Sequence, residues 1–313
     1  HSSNGGKQMT DIYEILRGKK DEDGNYKKQP VIVQGITGKY GSAHTKLMME
    51  YGTNIVAGVT PGKGGQKFEN KIPIFEKVSE AVNATNAKIS IVFVPAKFFL
   101  EAATDALESG IKLLIAIPEH VPVRDTMKMI ELAKKNDAII IGPNTPGVII
   151  PGMTKIGIMP ASPYTPGKIA VLSKSGTLLY EISNNLTTAG FGQSITIGIG
   201  GDPVNGTRMI DAFDMIKDDP ELDGIVVVGE IGGDAEEILA QHIIDIGFDK
   251  PIVGYIAGRR APKEKRMGHA GAIVMGTYGS AESKISMFAK ANIPVAKRPG
   301  EVAVLLAGKM TSQ

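Results

Sequence analysis

The chain of 313 residues contains no cysteine, which excludes disulfides, thiolate metal sites and a cysteine nucleophile. It also has little excess charge. Its 35 Lys and Arg against 33 Asp and Glu leave +2 with the histidines neutral, so electrostatics give no reason to expect nucleic acid or an anionic membrane surface as a partner. No apolar run approaches the roughly 18–20 residues that span a bilayer. A Walker A loop is missing too, and with it any ATP site of that type on this chain.

What is present fits a soluble globular protein, with 42% hydrophobic and 22% charged residues, and the length suits two domains. The first eight residues, HSSNGGKQ ahead of Met9, read as an expression-tag remnant. Residues 9–29 read as a polar extension with a short helix around Ile12, Tyr13, Ile15 and Leu16. From Val31 short apolar runs alternate with amphipathic segments. Strands are expected at 31–34, 54–59, 89–94, 113–117 and 138–141, with helices between them such as 98–109 and 123–135. Such alternation means βαβ units and a parallel sheet covered on both faces. The Pro/Gly-rich stretch 143–167 has no helical pattern and reads as the connection between domains. A second series follows, with strands at 169–172, 194–199, 224–229, 251–255 and near 293–295, and helices at 176–189, 207–217, 235–247 and 280–291. The expected domains are therefore 30–150 and 165–313.

Two glycine loops point to phosphate. Gly35-Ile36-Thr37-Gly38-Lys39-Tyr40-Gly41 follows the first strand and opens a helix, where free backbone N–H groups hold a pyrophosphate. A tight turn without a ligand would look the same. The second strand ends not in Asp or Glu, as a ribose-binding NAD site would, but in Thr60-Pro61-Gly62-Lys63-Gly64-Gly65. Lys63 suits a phosphorylated ribose, which leaves NADP and coenzyme A. Farther on, Ser173-Lys174-Ser175-Gly176-Thr177 lies between a strand and a helix; Ser175 and Gly176 there make either a second anion site or an ordinary helix cap.

His269 sits among small residues in Arg266-Met267-Gly268-His269-Ala270-Gly271-Ala272. Such an exposed imidazole can act as a nucleophile and carry a phosphoryl group, although a loop histidine read alone is more often structural or solvated. Glu230 ends the very apolar strand 224–229 and would point into the ligand crevice of such a fold. Its expected task is to fix the tautomer of His269. His44, at the start of the helix after the first loop, could lie near the ligand. His242, in a helix, reads as a surface or packing residue, and His120 as ambiguous.

Taken together, the runs GITGKYG (35–41), TPGKGG (60–65), GPNTPG (142–147), SKSGTLLYE (173–181), GIGGDP (198–203), GEIGGDAEE (229–237) and GYIAG…APKEKRMGHAGAI (254–273) resemble the α subunits of succinyl-CoA synthetase (succinate–CoA ligase). The resemblance runs from Val31 almost to the C-terminus. It implies an N-terminal Rossmann-like CoA-binding domain and a flavodoxin-like ligase domain, both α/β. It also implies that His269 is the phosphorylated histidine and Glu230 its acid partner. Thr37, Gly38, Lys39, Tyr40 and Lys63 would contact coenzyme A, as would Ile117, Pro118 and Glu119. Tyr180 would contact the acid substrate. A β subunit would supply an ATP-grasp site for ATP or GTP with Mg2+, in an αβ or α2β2 heteromer. No metal ligands are expected on this chain. Two positions depart from the family's pattern: Thr145 stands where a cysteine is usual, and Pro118 where a threonine is.

The implied activity interconverts succinate, CoA and a nucleoside triphosphate with succinyl-CoA, the diphosphate and phosphate through a phosphohistidine, in the citric acid cycle. The rivals are an acyl-CoA ligase for another acid such as malate, a non-catalytic CoA-binding protein, and an NADP dehydrogenase. No targeting peptide is visible after the tag, which favours the cytoplasm over a processed mitochondrial-matrix form. Titration with CoA and with NADP separates the last rival: CoA should bind and NADP should not.

Overall fold

We describe the protein from a computed structural model, which covers residues 11–259, 269, 271–274 and 279–311. The expected tag remnant and the basic run 260–268 lie outside the described residues. The first half of the chain forms α1 (Ile12–Arg17), β1 (Val31–Gln34), α2 (Lys39–Tyr51), β2 (Ile55–Val59), β3 (Lys67–Phe68), β4 (Ile72–Phe75), α3 (Val78–Thr85), β5 (Ile89–Val92), α4 (Phe99–Glu108), β6 (Leu113–Ala116), α5 (Val123–Lys135) and β7 (Ile139–Ile141). The second forms β8 (Gly147–Ile150), β9 (Thr154–Gly157), β10 (Pro166–Ser173), α6 (Gly176–Thr188), β11 (Gln193–Gly198), α7 (Met209–Ile216), β12 (Gly224–Glu230), α8 (Ala235–Ile246), β13 (Ile252–Ala257), α9 (Ala281–Lys290), β14 (Val295–Ala296) and α10 (Val302–Thr311).

Two sheets result. The first has the order β3-β4-β2-β1-β5-β6-β7 and is parallel apart from β3. Its parallel strands, numbered along the chain, run 3-2-1-4-5-6, the Rossmann order, which reverses between β1 and β5. The second has the order β14-β13-β12-β10-β11-β8-β9. Its parallel part reads 2-1-3-4-5 from the β11 side, the flavodoxin-like order, and reverses between β10 and β12. Strands β1, β5, β6, β10 and β12 are buried along most or all of their length, as strands covered on both faces must be. One apolar cluster is continuous between the sheets, from Val31 and Ile89 to Leu172 and Ile225.

Two segments differ from the sequence reading. Between β2 and β5 no strand was expected, yet β3 and β4 form there and β4 joins the parallel sheet beside β2. The stretch 143–167 is not a bare connection: β8 and β9 pair antiparallel within it and extend the second sheet through Val148 opposite Ile197. The turn between them carries Gly152 at φ +76°, so the Pro151-Gly152 pair that looked like linker punctuation is a hairpin turn. The N-terminal extension carries the short helix expected around Ile12 to Leu16. Asp11 caps α1 by accepting from the Tyr13 N–H at 2.8 Å, and Ile12 and Leu16, one turn apart, are both fully buried. The helix docks on the second sheet's side, with the Tyr13 hydroxyl 3.5 Å from Ser194 Oγ and Arg17 3.7 Å from Asp219. Burial drives the Tyr13 hydroxyl's ionisation well above the ordinary phenol range. Replacing a buried leucine by alanine removes its transfer energy and leaves a void, so Leu16→Ala should cost roughly 2–5 kcal/mol in urea unfolding. A loss under about 0.5 kcal/mol would mean that α1 does not belong to the core.

Candidate active site

In an open parallel sheet the loops on either side of the order reversal leave in opposite directions and open a crevice at the strands' C-terminal ends. Here the two reversals serve one cleft of about 640 Å3. The first sheet contributes Phe93 to Ala96 after β5, Ile117 to Glu119 after β6, and Tyr40 from α2. The second contributes Lys174 to Thr177 after β10, Tyr180 from α6, and His269. Asn144, Thr145 and Pro146 line the cleft between them.

His269 is held by backbone shape as much as by bonds. A side chain at Gly201 would put its Cβ 2.7 Å from His269 Cδ2 and 2.9 Å from Nε2, so this edge of the ring lies on bare backbone. Gly232, at φ +96°, likewise leaves room for the carbonyl of Gly271 from the histidine's own loop. The ring's other edge meets Glu230: Nδ1 lies 2.7 Å from Oε2, with the carboxylate largely buried at the end of β12. A carboxylate cannot donate, so Nδ1 carries the proton and the neutral ring keeps its lone pair on Nε2. The bond to Glu230 raises the pKa of His269 above the ordinary imidazole value. Burial acts against this, Asp202 adds to it, and Lys174 opposes it.

The start of α6 is an ordinary cap and also an electropositive end. Ser175 Oγ accepts from the Leu178 N–H at 3.3 Å, and the Ser175 N–H donates to Ser173 Oγ at 3.1 Å. That hydroxyl is thus spoken for, while the first-turn N–H groups of a helix have no intrahelical acceptors and favour an anion. Tyr180 faces the cleft from the next turn, its ionisation pushed up to about 12, first by burial and then by Tyr40. It stays a neutral hydroxyl at physiological pH.

On the other side of the cleft, α2 begins at Gly38 without a side-chain cap, and Lys39 and Lys63 are exposed near it in sequence or loop. The two glycine loops meet where Thr37 Oγ1 lies 3.2 Å from Thr60 Oγ1. Glu76 shapes the second loop by accepting from the Gly62 and Gly64 N–H groups, each at 2.7 Å. The first-turn N–H groups of α2, which have no intrahelical acceptors, two lysines and an apolar wall at Ile117 and Pro118 fit a phosphorylated nucleotide with a long arm. Thr37, Gly38, Lys39 and Lys63 are outside the cleft's immediate lining, as is Glu230, which stands behind His269; Tyr40, Ile117, Pro118, Glu119, Ser175, Gly176 and Tyr180 share it with His269.

The remaining histidines sort themselves by surroundings. His44 packs edge-on to Tyr40 at 4.5 Å and stacks on Phe93 at 6.0 Å, with its pKa lowered first by burial and then by Lys155. His242 pairs with Asp214 at 2.7 Å and lies against Phe213. His120 is an exposed turn residue at φ +62°. Thr145 is buried, donating to the Gly198 carbonyl and accepting from the Gly147 N–H at 2.9 Å. It ties the two sheets' loops together, a job a cysteine would do less well. Asn144, Lys174 and Asp202 were not singled out from sequence. Asn144 Nδ2 donates to Asp202 Oδ1 at 3.0 Å beside the histidine, and only their place within the GPNTPG and GIGGDP runs could have flagged them.

Comparison with known proteins identifies the family. The CoA binding domain family matches residues 26–120 and the CoA-ligase family residues 172–293. The chain is 49% identical over 277 residues to subunit alpha 2 of an ADP-forming succinate–CoA ligase from Archaeoglobus fulgidus, covering 88% of this chain and 96% of that one. It is 50% identical over 278 residues to the alpha subunit of the Aquifex aeolicus enzyme, covering 88% and 90%. The chain belongs to the succinate–CoA ligase α-subunit family. Among solved structures, an ATP citrate lyase from Methanothrix soehngenii, in complex with citrate and coenzyme A, superposes with a TM-score of 0.82 at 25% identity. That match covers 91% of this chain, which spans 50% of the lyase chain. The family match begins at residue 26, so α1 lies ahead of the matched region.

The carboxylate of Glu230 favours the imidazolium, so His269 should lose its proton at a higher pH than an ordinary histidine, and the neutral ring should appear only above that point. Glu230→Gln keeps the hydrogen-bond acceptor but removes the charge. NMR titration of the imidazole should therefore give a midpoint above 6.5 in the parent and a lower one in the variant. Coincident midpoints would dissociate the two residues.

Proposed function

We propose that the chain is the α subunit of a nucleoside-diphosphate-forming succinate–CoA ligase and that His269 is its phosphoryl carrier. The observation carrying this reading is that one cleft holds both a neutral-capable imidazole oriented by Glu230 and the strand ends and helix start that suit coenzyme A. A binding module would need only the second of these.

In the ligating direction, Nε2 of His269 attacks the terminal phosphorus of a nucleoside triphosphate, the N–P bond forms, and the diphosphate leaves. Nδ1 keeps its proton and goes on donating it to Glu230, whose charge offsets the positive charge building on the ring. A succinate carboxylate oxygen then attacks that phosphorus, breaking the N–P bond to give an acyl phosphate and the free ring. Attack of the CoA sulfur on the acyl carbon expels phosphate, and the thiol proton passes to solvent or to the phosphate. Tyr40, Ile117, Pro118 and Glu119 would line the thiol's approach; Thr37, Gly38, Lys39 and Lys63 would hold the phosphorylated end. The N–H groups at Gly176 and the start of α6 would stabilise the phosphoryl oxygens without reorganisation, with Tyr180 donating to the acid substrate.

The nucleotide, with its Mg2+, is assigned to an ATP-grasp site on a β subunit, in an αβ or α2β2 assembly. This assignment is supported by the subunit designation of the relatives. Their archaeal and bacterial sources support the cytoplasm as the compartment. Among the described residues no helix is long and apolar enough to cross a membrane.

The test is co-purification with the β subunit, followed by label from the γ-phosphate. Acid-labile, base-stable label should appear on the peptide containing His269. His269→Ala should lower turnover by at least roughly a thousandfold, with CoA affinity within about twofold of the parent. Full activity in that variant would refute the assignment.

A further inference from the structure

Behind the cleft lies a charge cluster that the reaction scheme does not use. Lys284, on α9, is fully buried, and its ammonium donates to the Gly233 carbonyl at 3.0 Å, to Glu237 Oε2 at 2.9 Å and to Glu236 Oε2. Glu236, in the first turn of α8, is also fully buried. Its other oxygen, Oε1, faces the active site: it accepts from the backbone N–H of Glu230 at 3.0 Å and lies 3.5 Å from the ammonium of Lys174, which lines the cleft. The carboxylate rests directly on β12, because Gly229 has no Cβ to displace it. Glu237 is held from its other side by Ser283 Oγ at 2.9 Å.

A buried ion pair is a weak source of stability, because desolvation cancels most of the Coulomb gain. What such a network does well is fix positions, since every donor and acceptor in it is committed. Here the positions fixed are those of the two groups of opposite charge that act on His269. Glu236 pins the backbone from which the Glu230 side chain reaches Nδ1, and it holds Lys174 back from the ring.

We infer that Glu236 and Lys284 are positioning residues for phosphoryl transfer at His269, acting through Glu230 on one side and Lys174 on the other. This rests on the phosphohistidine reading above and deepens it. The groups facing the ring are then Glu230, Asp202 and Lys174, and Glu236 governs two of the three. When a phosphoryl group occupies Nε2, Lys174 has two anions within its range, Glu236 and the phosphoryl oxygens; Lys284 keeps Glu236 in place while Lys174 divides between them.

Glu236→Gln is the direct test, in the enzyme reconstituted with its β subunit. The amide keeps an oxygen for the Glu230 N–H, while Lys284 retains Glu237 and Gly233. The charge that restrains Lys174 is gone, so the ammonium should swing toward the ring and disfavour the imidazolium. The pH midpoint for labelling His269 should move to lower pH, and kcat should fall roughly ten- to a hundredfold, the scale on which residues that orient the ligands of metal sites affect activity, with the KM for CoA within about twofold. The charge-balanced pair Lys284→Met with Glu236→Gln should show the same pH displacement. Folded variants with the parent's kcat and pH midpoint would overturn the inference, even if their Tm fell, and so would failure of both to fold, since that assigns the pair a structural role. Absence of label on His269 in the parent enzyme would instead sink the phosphohistidine reading itself.

Discussion

The contact between His269 Nδ1 and Glu230 Oε2 is the constraint around which the second half of the chain is arranged. It joins a histidine on a loop after β13 to a carboxylate at the tip of β12, 39 positions earlier in the chain. A loop has no intrinsic reason to hold one side chain to a fraction of an ångström. The glycines supply the missing precision by subtraction. Gly201 leaves a floor for one edge of the ring, Gly232 lets the loop's backbone close on the β12–α8 turn, and Gly229 admits Glu236 to the strand. They come from two runs, Gly201 from GIGGDP and Gly229 and Gly232 from GEIGGDAEE, so these glycine-rich motifs are best understood as mutually fitting surfaces around one imidazole.

The same logic explains why the site needs two sheets. A Rossmann-type crevice binds a nucleotide but presents mainly backbone N–H groups, and among the described residues the first sheet's share of the cleft lining includes no histidine. The flavodoxin-type crevice offers a helix start and a histidine but few apolar surfaces for a long thiol arm. Ties between the loops of the two sheets set the crevices against each other: Thr145 to the Gly198 carbonyl, Gly206 N–H to Gly142 at 2.7 Å, and Thr207 to Ile140 at 2.6 Å. The continuous apolar cluster makes that relation a property of the core.

Charge in the site is layered. Glu230, next to the ring, raises its pKa; Lys174, one step farther, opposes it; and Glu236 with Lys284 restrains Lys174 from behind. This places opposing charges within a few ångströms of one another around a site that must accept and release anions repeatedly. A single strong cation at the ring would hold the phosphoryl group too firmly to pass it on.

Much of this could be read from residue order. Short apolar strands with helices between them have one stable solution, a covered parallel sheet, so β1, β2, β5, β6 and β7 of the first sheet and β11, β12 and β13 of the second were legible within two residues. By contrast, β10 begins three residues before the expected 169, and β3 and β4 were not read at all. The glycine loops, Ser175 and Glu230 were legible because strand ends and helix starts dictate where ligands meet backbone. The hairpin at 147–157 was hidden, since Pro and Gly mark turns in hairpins and in linkers alike. The depth at which α1 docks was hidden as well: Ile12, Tyr13 and Leu16 are all buried, but an apolar turn announces a helix without naming the surface that covers it. Lys284 shows the limit most clearly: in sequence it is one lysine among many on an amphipathic helix, and only the packing of α9 against α8 encloses it between two carboxylates. Local sequence determined which groups could do chemistry, because that depends on side-chain type and on strand and helix ends. Tertiary structure alone decided which of them meet, because the distance between a loop imidazole and a strand-end carboxylate is set by how two sheets and their helices exclude water together.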